Sequence, residues 1–122
     1  MSLDWTSDVM DFHEKMSYKN GGHPQSLSPD DFNQRYSYME EELEEFIDAE
    51  TLADQADALL DLIYFAIGTL LRMGIDPRVG WDEVHRANMD KVPADAWKHS
   101  IKPEDWEPPS PKLLTRALHD GL

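Results

Sequence analysis

One aspartate constrains this chain more than any other residue. Asp61 interrupts the run Ala58-Leu59-Leu60-Asp61-Leu62-Ile63-Tyr64-Phe65-Ala66-Ile67, which is otherwise apolar. An ionised carboxylate in such a place is costly unless it is protonated, paired or bound to a cation. More acids surround it by helical logic: Asp57 one turn earlier, and Glu41, Glu42 and Glu45 on the preceding segment. Few bases stand opposite them. A shared divalent cation is the simplest way to reconcile this pattern with a stable fold. Two plainer accounts stand beside it. The glutamates alone read as a solvated, helix-favouring face, and Asp61 could be satisfied by Arg35 or Arg72.

The 122 residues suffice for one domain with one core. We read the whole chain, 1–122, as a single all-α domain, with a core over about 4–91 and an extended proline-rich tail over about 92–122. Acidic residues outnumber basic ones by 25 to 11, a net charge of -14. That argues against a nucleic-acid polymer or an anionic membrane as partner, since both need basic surface. A small phosphorylated ligand stays open, because bound cations reverse the local field. With no cysteine there is neither a disulfide frame nor a thiolate site. The start lacks the basic and apolar segments of a secretory signal, and the longest apolar stretch is too short to span a bilayer. A cytoplasmic protein is expected.

The spacing predicts four helices and no strand. The first covers roughly Asp4 to Met16, and Lys19 to Pro24 then breaks the pattern. Ser28-Pro29-Asp30-Asp31 opens the second, with an N-cap serine, a proline at the first helical position and acids in the first turn. Phe32, Tyr36, Met39, Leu43, Phe46 and Ile47 then form one apolar stripe, ending near Ala49 or Glu50. The third starts between Leu52 and Asp54 and is capped by Gly74. Asp76-Pro77 opens the fourth, which runs to about Met89 with Val79, Val84 and Ala87 inward. A short helix near Leu113 to Leu118 is expected in the tail. The third helix is apolar nearly all round, so it should be buried all round. Three small neighbours hardly enclose it, and a homodimer, or a dimer of dimers, is the expected solution.

On the second helix Glu42 falls at the border of the apolar arc, with Glu45 and Glu41 further round. On the third, Asp54, Asp57, Asp61, Gly68 and Arg72 share its one polar stripe. Antiparallel packing, as the short connection implies, would let the acids converge. Hard divalent ions such as Mg²⁺ take carboxylate, water and phosphate oxygens. The absence of histidine from both clusters disfavours zinc or a di-iron site.

At these residues the chain resembles the all-α nucleoside triphosphate pyrophosphohydrolases, the MazG-like and phosphoribosyl-ATP pyrophosphohydrolase-like superfamily. Their Glu-x-x-Glu half is similar to Glu42-Leu43-Glu44-Glu45, preceded by Glu41. Their second half is similar to Asp57-Ala58-Leu59-Leu60-Asp61, followed by Gly68 and Gly74-Ile75-Asp76. Asn88-Met89-Asp90-Lys91 resembles their Asn-x-x-Lys segment, and Lys102-Pro103 with Trp106-Glu107-Pro108-Pro109 their closing segment. One position departs: Ala58 stands where the pattern has Glu, which leaves Asp57 to substitute.

The resemblance implies a MazG-type fold like a four-helix bundle, completed by homo-oligomerisation. It implies hydrolysis of a (d)NTP to a monophosphate and pyrophosphate, in nucleotide-pool control. Magnesium, with manganese able to substitute, would sit on Glu41, Glu42, Glu45, Asp57 and Asp61. Glu42 or Glu45 would act as base, and Asn88, Lys91 and Lys102 would hold phosphates. Phe12, His13, Tyr38 and Trp81 are candidates for a wall against the base, although aromatics at helical spacing are core residues as a rule. Two alternatives stand: phosphoribosyl-ATP hydrolysis in histidine biosynthesis, and a non-catalytic acidic helical module that binds metal or a protein.

Overall fold

The computed structural model describes residues 4–93 and 101–116. Among the described residues five helices follow one another: α1 (Trp5–Lys15), α2 (Pro29–Asp48), α3 (Leu52–Arg72), α4 (Pro77–Met89) and α5 (Ser110–Arg116). The all-α expectation holds, and no helix among the described residues is long and apolar enough to cross a membrane.

Local chemistry sets the helix ends. Ser28 accepts from the Asp31 amide with Pro29 at the first position, and Thr51 accepts from the Asp54 amide. Each such cap contributes about 1 kcal/mol. Gly74, at φ 74°, closes α3. Its amide donates to the Leu71 carbonyl at 3.0 Å, and the Ile75 amide donates to Leu70 at 3.0 Å. Those two bonds satisfy carbonyls that a helix end otherwise leaves open. Glycine is needed there twice over, because a Cβ at this position would also strike the His23 carbonyl.

The α2–α3 hairpin is antiparallel. Arg35 meets Thr69, Tyr38 meets Phe65, and Glu42 feels the charge of Asp61, so the register descends along α3 as it climbs α2. α1 lies against α3, with Phe12 and Tyr64 ring centroids 5.7 Å apart in an edge-on contact. After α4, Val92 and Ile101 pair as an isolated antiparallel bridge. Trp106 then folds back, donating from Nε1 to the Ala87 carbonyl at 2.6 Å. The short helix of the tail is α5, three residues earlier than expected at its start; Leu118 lies outside the described residues.

Among the described residues the buried apolar core is small: Val9, Ala58, Leu71, Ile75 and Ala87. The apolar stripe expected on α2 is not covered within one chain: Phe32, Tyr36, Leu43 and Ile47 are exposed, and the buried residue of that helix is Arg35. On α4, Ala87 is buried as expected, but Val84 is exposed and Val79 only half-buried, and the other inward positions belong to Gly80 and Glu83. Glu83 is tolerated there because Arg86 donates to it at 3.3 Å and turns on to the Glu107 carbonyl. α3 keeps Leu59, Leu60 and Ile63 exposed, which agrees with the inference that one chain cannot enclose it.

Candidate active site

The facing turns of α2 and α3 carry the acids to two adjoining cavities. The first, about 460 Å³, is lined by Glu41, Glu44, Glu45, Asp48, Ala49, Asp54 and Asp57. The second, about 440 Å³, is lined by Phe12, His13, Tyr18, Arg35, Tyr38, Glu42, Asp61, Tyr64 and Phe65. Thus Glu41, Glu45 and Asp57 stand on the acidic side, and Glu42 and Asp61 on the aromatic side. Ala58 is buried at 2 % exposure, while its neighbour Asp57 is exposed toward the acids.

Among the described residues the two inner carboxylates have no counter-ion, and Glu42 Oε2 is sealed from solvent with no hydrogen-bond partner. Burial, foremost, pushes the Glu42 carboxyl up to about 7; proton sharing with Glu45 and the charges of Glu45, Asp61 and Asp57 add to this. Two ionised carboxylates can only accept, so that shared bond exists only while one of them holds a proton. Asp61 is raised too, first by burial and then by Asp57 and Glu45.

The pairing that would have made Asp61 an ordinary structural acid does not form. Arg72 binds Asp31 at 2.9 Å instead. Arg35, 5 % exposed, makes no ion pair among the described residues. It donates from Nε to Thr69 Oγ1 at 2.9 Å and from Nη2 to the Phe65 carbonyl at 3.0 Å. Its guanidinium lies 5.8 Å from the Tyr38 ring and 5.7 Å from the Phe65 ring.

Among the described residues no three acids or histidines stand as a ready-made metal site. The donor set nevertheless fits a hard cation: carboxylate oxygens, one of them orphaned, with no lysine or arginine ion-paired to them among the described residues. Glu41, Glu42, Glu45, Asp57 and Asp61 are the residues that could hold it.

Of the other residues singled out from the sequence, Phe12, His13 and Tyr38 line the aromatic cavity, while Trp81 stands exposed on α4. His23 and His85 are exposed. Asn88, Lys91 and Lys102 line neither cavity. They sit at the end of α4 and the strap after it, where the Lys91 and Lys102 ammonium groups lie 5.6 and 4.7 Å from the Trp106 ring. Tyr18, Tyr64 and Phe65 complete the aromatic wall unannounced. The last two follow Asp61 by three and four residues, a spacing that carries the signal; Tyr18, in the loop after α1, carries none.

No curated protein matches the chain. The model of one family, phosphoribosyl-ATP pyrophosphohydrolase, matches residues 9–88, from within α1 to the last turn of α4 and well over half of the chain. The superfamily resemblance drawn from the carboxylate motifs is borne out, and the reading as a non-catalytic module has no support. The chain belongs to the phosphoribosyl-ATP pyrophosphohydrolase family and is a pyrophosphohydrolase acting on phosphoric anhydrides.

Proposed function

We propose that this protein is a magnesium-dependent nucleotide pyrophosphohydrolase that cleaves a (d)NTP between its α and β phosphates, releasing a monophosphate and pyrophosphate. One observation carries the proposal: carboxylates with no ion-pair partner among the described residues stand beside an aromatic cavity that Glu42 and Asp61 themselves line. A nucleotide needs both halves, an acid-bound cation for its phosphates and a stacking wall for its base. Bound Mg²⁺, with Mn²⁺ able to substitute, supplies positive charge to the polyphosphate and to the leaving pyrophosphate.

The chain's own residues do the rest. Glu41, Glu42, Glu45, Asp57 and Asp61 would hold the cation. Glu42 or Glu45 orients the attacking water and takes its proton. Asn88, Lys91 and Lys102 are assigned to the phosphates. They would meet them when the α4 end is brought to the acidic cleft, which assembly of copies can supply. A homodimer or a dimer of dimers is supported by the apolar side chains that the α2–α3 hairpin leaves exposed, among them Leu43, Phe46, Ile47, Leu59 and Leu60.

The family's description favours a second reading, phosphoribosyl-ATP as substrate. One panel tests both. The purified protein is given the (d)NTPs and phosphoribosyl-ATP with Mg²⁺ or Mn²⁺, and pyrophosphate release is followed. Turnover of one or more (d)NTPs is expected. Turnover of phosphoribosyl-ATP alone would establish the second reading, and no turnover of anything would end both.

A further inference from the structure

The aromatic cavity holds a buried cation that the hydrolytic reaction does not use. Arg35 is a cation with no carboxylate partner among the described residues, and it lines the cavity that ends on Glu42 and Asp61. Of its five N–H groups, two are taken, by Thr69 and by the Phe65 carbonyl. Nη1 finds no acceptor among the described residues and is not sealed from solvent, so its N–H groups face open space.

His13 stands beside it. A Cβ on Gly68 would lie 2.6 Å from Arg35 Nη2 and 2.9 Å from His13 Nε2, so both nitrogens border the gap that this glycine leaves. His13 Nδ1 lies 2.6 Å from Asn20 Oδ1. A carboxamide oxygen only accepts, so Nδ1 carries the hydrogen and Nε2 presents a bare lone pair. Burial holds the ring below the usual histidine range and keeps it neutral. The cavity therefore offers a charged donor and a neutral acceptor side by side, between Tyr38 and Phe65 on one hand and Phe12 and Tyr64 on the other.

We infer that Arg35 and His13 read the base of the substrate, and that they select an oxo base, one carrying a carbonyl where adenine and cytosine carry an amino group. This rests on the pyrophosphohydrolase reading, with the nucleotide's phosphates at the acids. Arg35 and Glu42 are seven residues apart on α2, about 10 Å along its axis, which suits a nucleoside laid along the helix. The phosphate end, fixed at the carboxylates, sets which edge of the base reaches Arg35. In guanine, hypoxanthine, uracil and thymine a carbonyl oxygen meets the guanidinium, and the adjacent ring N–H meets His13 Nε2. In adenine and cytosine an amino group would face the guanidinium, donor against donor, and a bare ring nitrogen would face the histidine lone pair. Arginine is a frequent partner of the guanine carbonyl in nucleic-acid recognition, and that pairing discriminates between bases.

Calorimetric titration of the full chain, with Mg²⁺ present, against dIMP, dGMP, dUMP, dAMP and dCMP tests this. The oxo nucleotides should bind about ten- to a hundredfold more tightly than dAMP and dCMP. O6-methyl-dGMP, which lacks both the carbonyl and the N1 hydrogen, should lose the advantage of dGMP. Equal affinities, a preference for dAMP or dCMP, unaltered binding of the methylated probe, or no binding of any monophosphate would overturn the inference. Arg35→Lys keeps the charge and loses the fork, and should bring the oxo-to-amino ratio close to one; a folded Arg35→Lys that keeps the ratio would also overturn it. Pyrophosphate release measured on the triphosphates separates the two claims. Hydrolysis without selectivity removes the inference alone, and selective binding without hydrolysis removes the catalytic reading alone.

Discussion

Arg35 and Gly68 are seated against each other: the guanidinium Nη2 lies 2.6 Å from where a Cβ on Gly68 would stand. The long side chain of α2 reaches under α1 only because α3 presents no side chain at this turn. Glycine inside a helix forgoes about 1 kcal/mol relative to alanine, and here that loss provides the room for a buried cation. Gly68→Ala recovers the propensity but pushes Arg35 off Thr69 and Phe65 and His13 off Asn20. Overpacking of this kind costs about 1–3 kcal/mol. We expect a net loss of about 1 kcal/mol, read as a lower denaturation midpoint with an unchanged slope. A stability equal to or above the parent would show that Arg35 is not held as described.

The helices were legible in the sequence because their ends are local chemistry. Ser28-Pro29, Thr51, Gly74 and Asp76-Pro77 act within a turn of themselves, and the structure places α2, α3 and α4 within a residue or two of the expected limits. The convergence of Glu42 with Asp61 was legible for a similar reason, as two helical periods joined by a short connection. What stayed hidden depends on distant coincidence. Arginine in an apolar stripe reads as a surface residue or an acid's partner, and its burial needs Gly68, thirty-three positions away, to be empty. Glu83 likewise enters the α4 core because Arg86 and the returning tail satisfy it. Nothing local to Val84 shows that its place is taken.

Glu45→Gln and Asp61→Asn separate catalysis from folding. Glu45 is exposed and Asp61 half-buried without a cation partner, so neither holds the fold together. Substitution should leave stability within about 0.5 kcal/mol, or improve it in the absence of metal. Pyrophosphate release should fall by at least about a hundredfold, the scale on which charge stabilisation is lost. Undiminished turnover in either variant would remove that acid from the site.

The metal-free protein should answer to pH at Glu42. An acid with a higher pKa folded than unfolded holds its proton more tightly when folded. Its contribution to stability is therefore full below the unfolded value of 4.5 and declines as pH rises to the folded value of about 7. His13, lowered chiefly by burial, works the other way, favouring the folded state above the unfolded value of 6.5. Comparison with Glu42→Gln isolates the first effect. The variant should gain on the parent from pH 4.5 to 7 and hold a constant lead above. Solvent in the cleft screens the interaction, so the lead should be about 1 kcal/mol. Mg²⁺ should erase it by stabilising the parent alone, with release of protons near neutrality. A difference that is flat in pH would mean that Glu42 ionises as an ordinary glutamate.

Trp106 fastens the strap to the end of α4. Its indole donates to the Ala87 carbonyl at 2.6 Å, and its ring faces the ammonium groups of Lys91 and Lys102 at 5.6 and 4.7 Å. Trp106→Phe keeps a ring for both lysines and loses the hydrogen bond, which contributes about 1 kcal/mol. Trp106→Ala loses the cation–ring contacts as well, each about 0.5–1 kcal/mol at an exposed position, for a total of about 2 kcal/mol. The Val92–Ile101 bridge and the Arg86–Glu107 contact also tie the strap, which should open before the helices do. Limited trypsin digestion reads that opening locally, at the Lys91–Val92 bond. Cleavage there should quicken in the order parent, Trp106→Phe, Trp106→Ala, at temperatures where the far-ultraviolet helix signal is unchanged. Equal cleavage rates in all three would mean that the ring does not secure the strap.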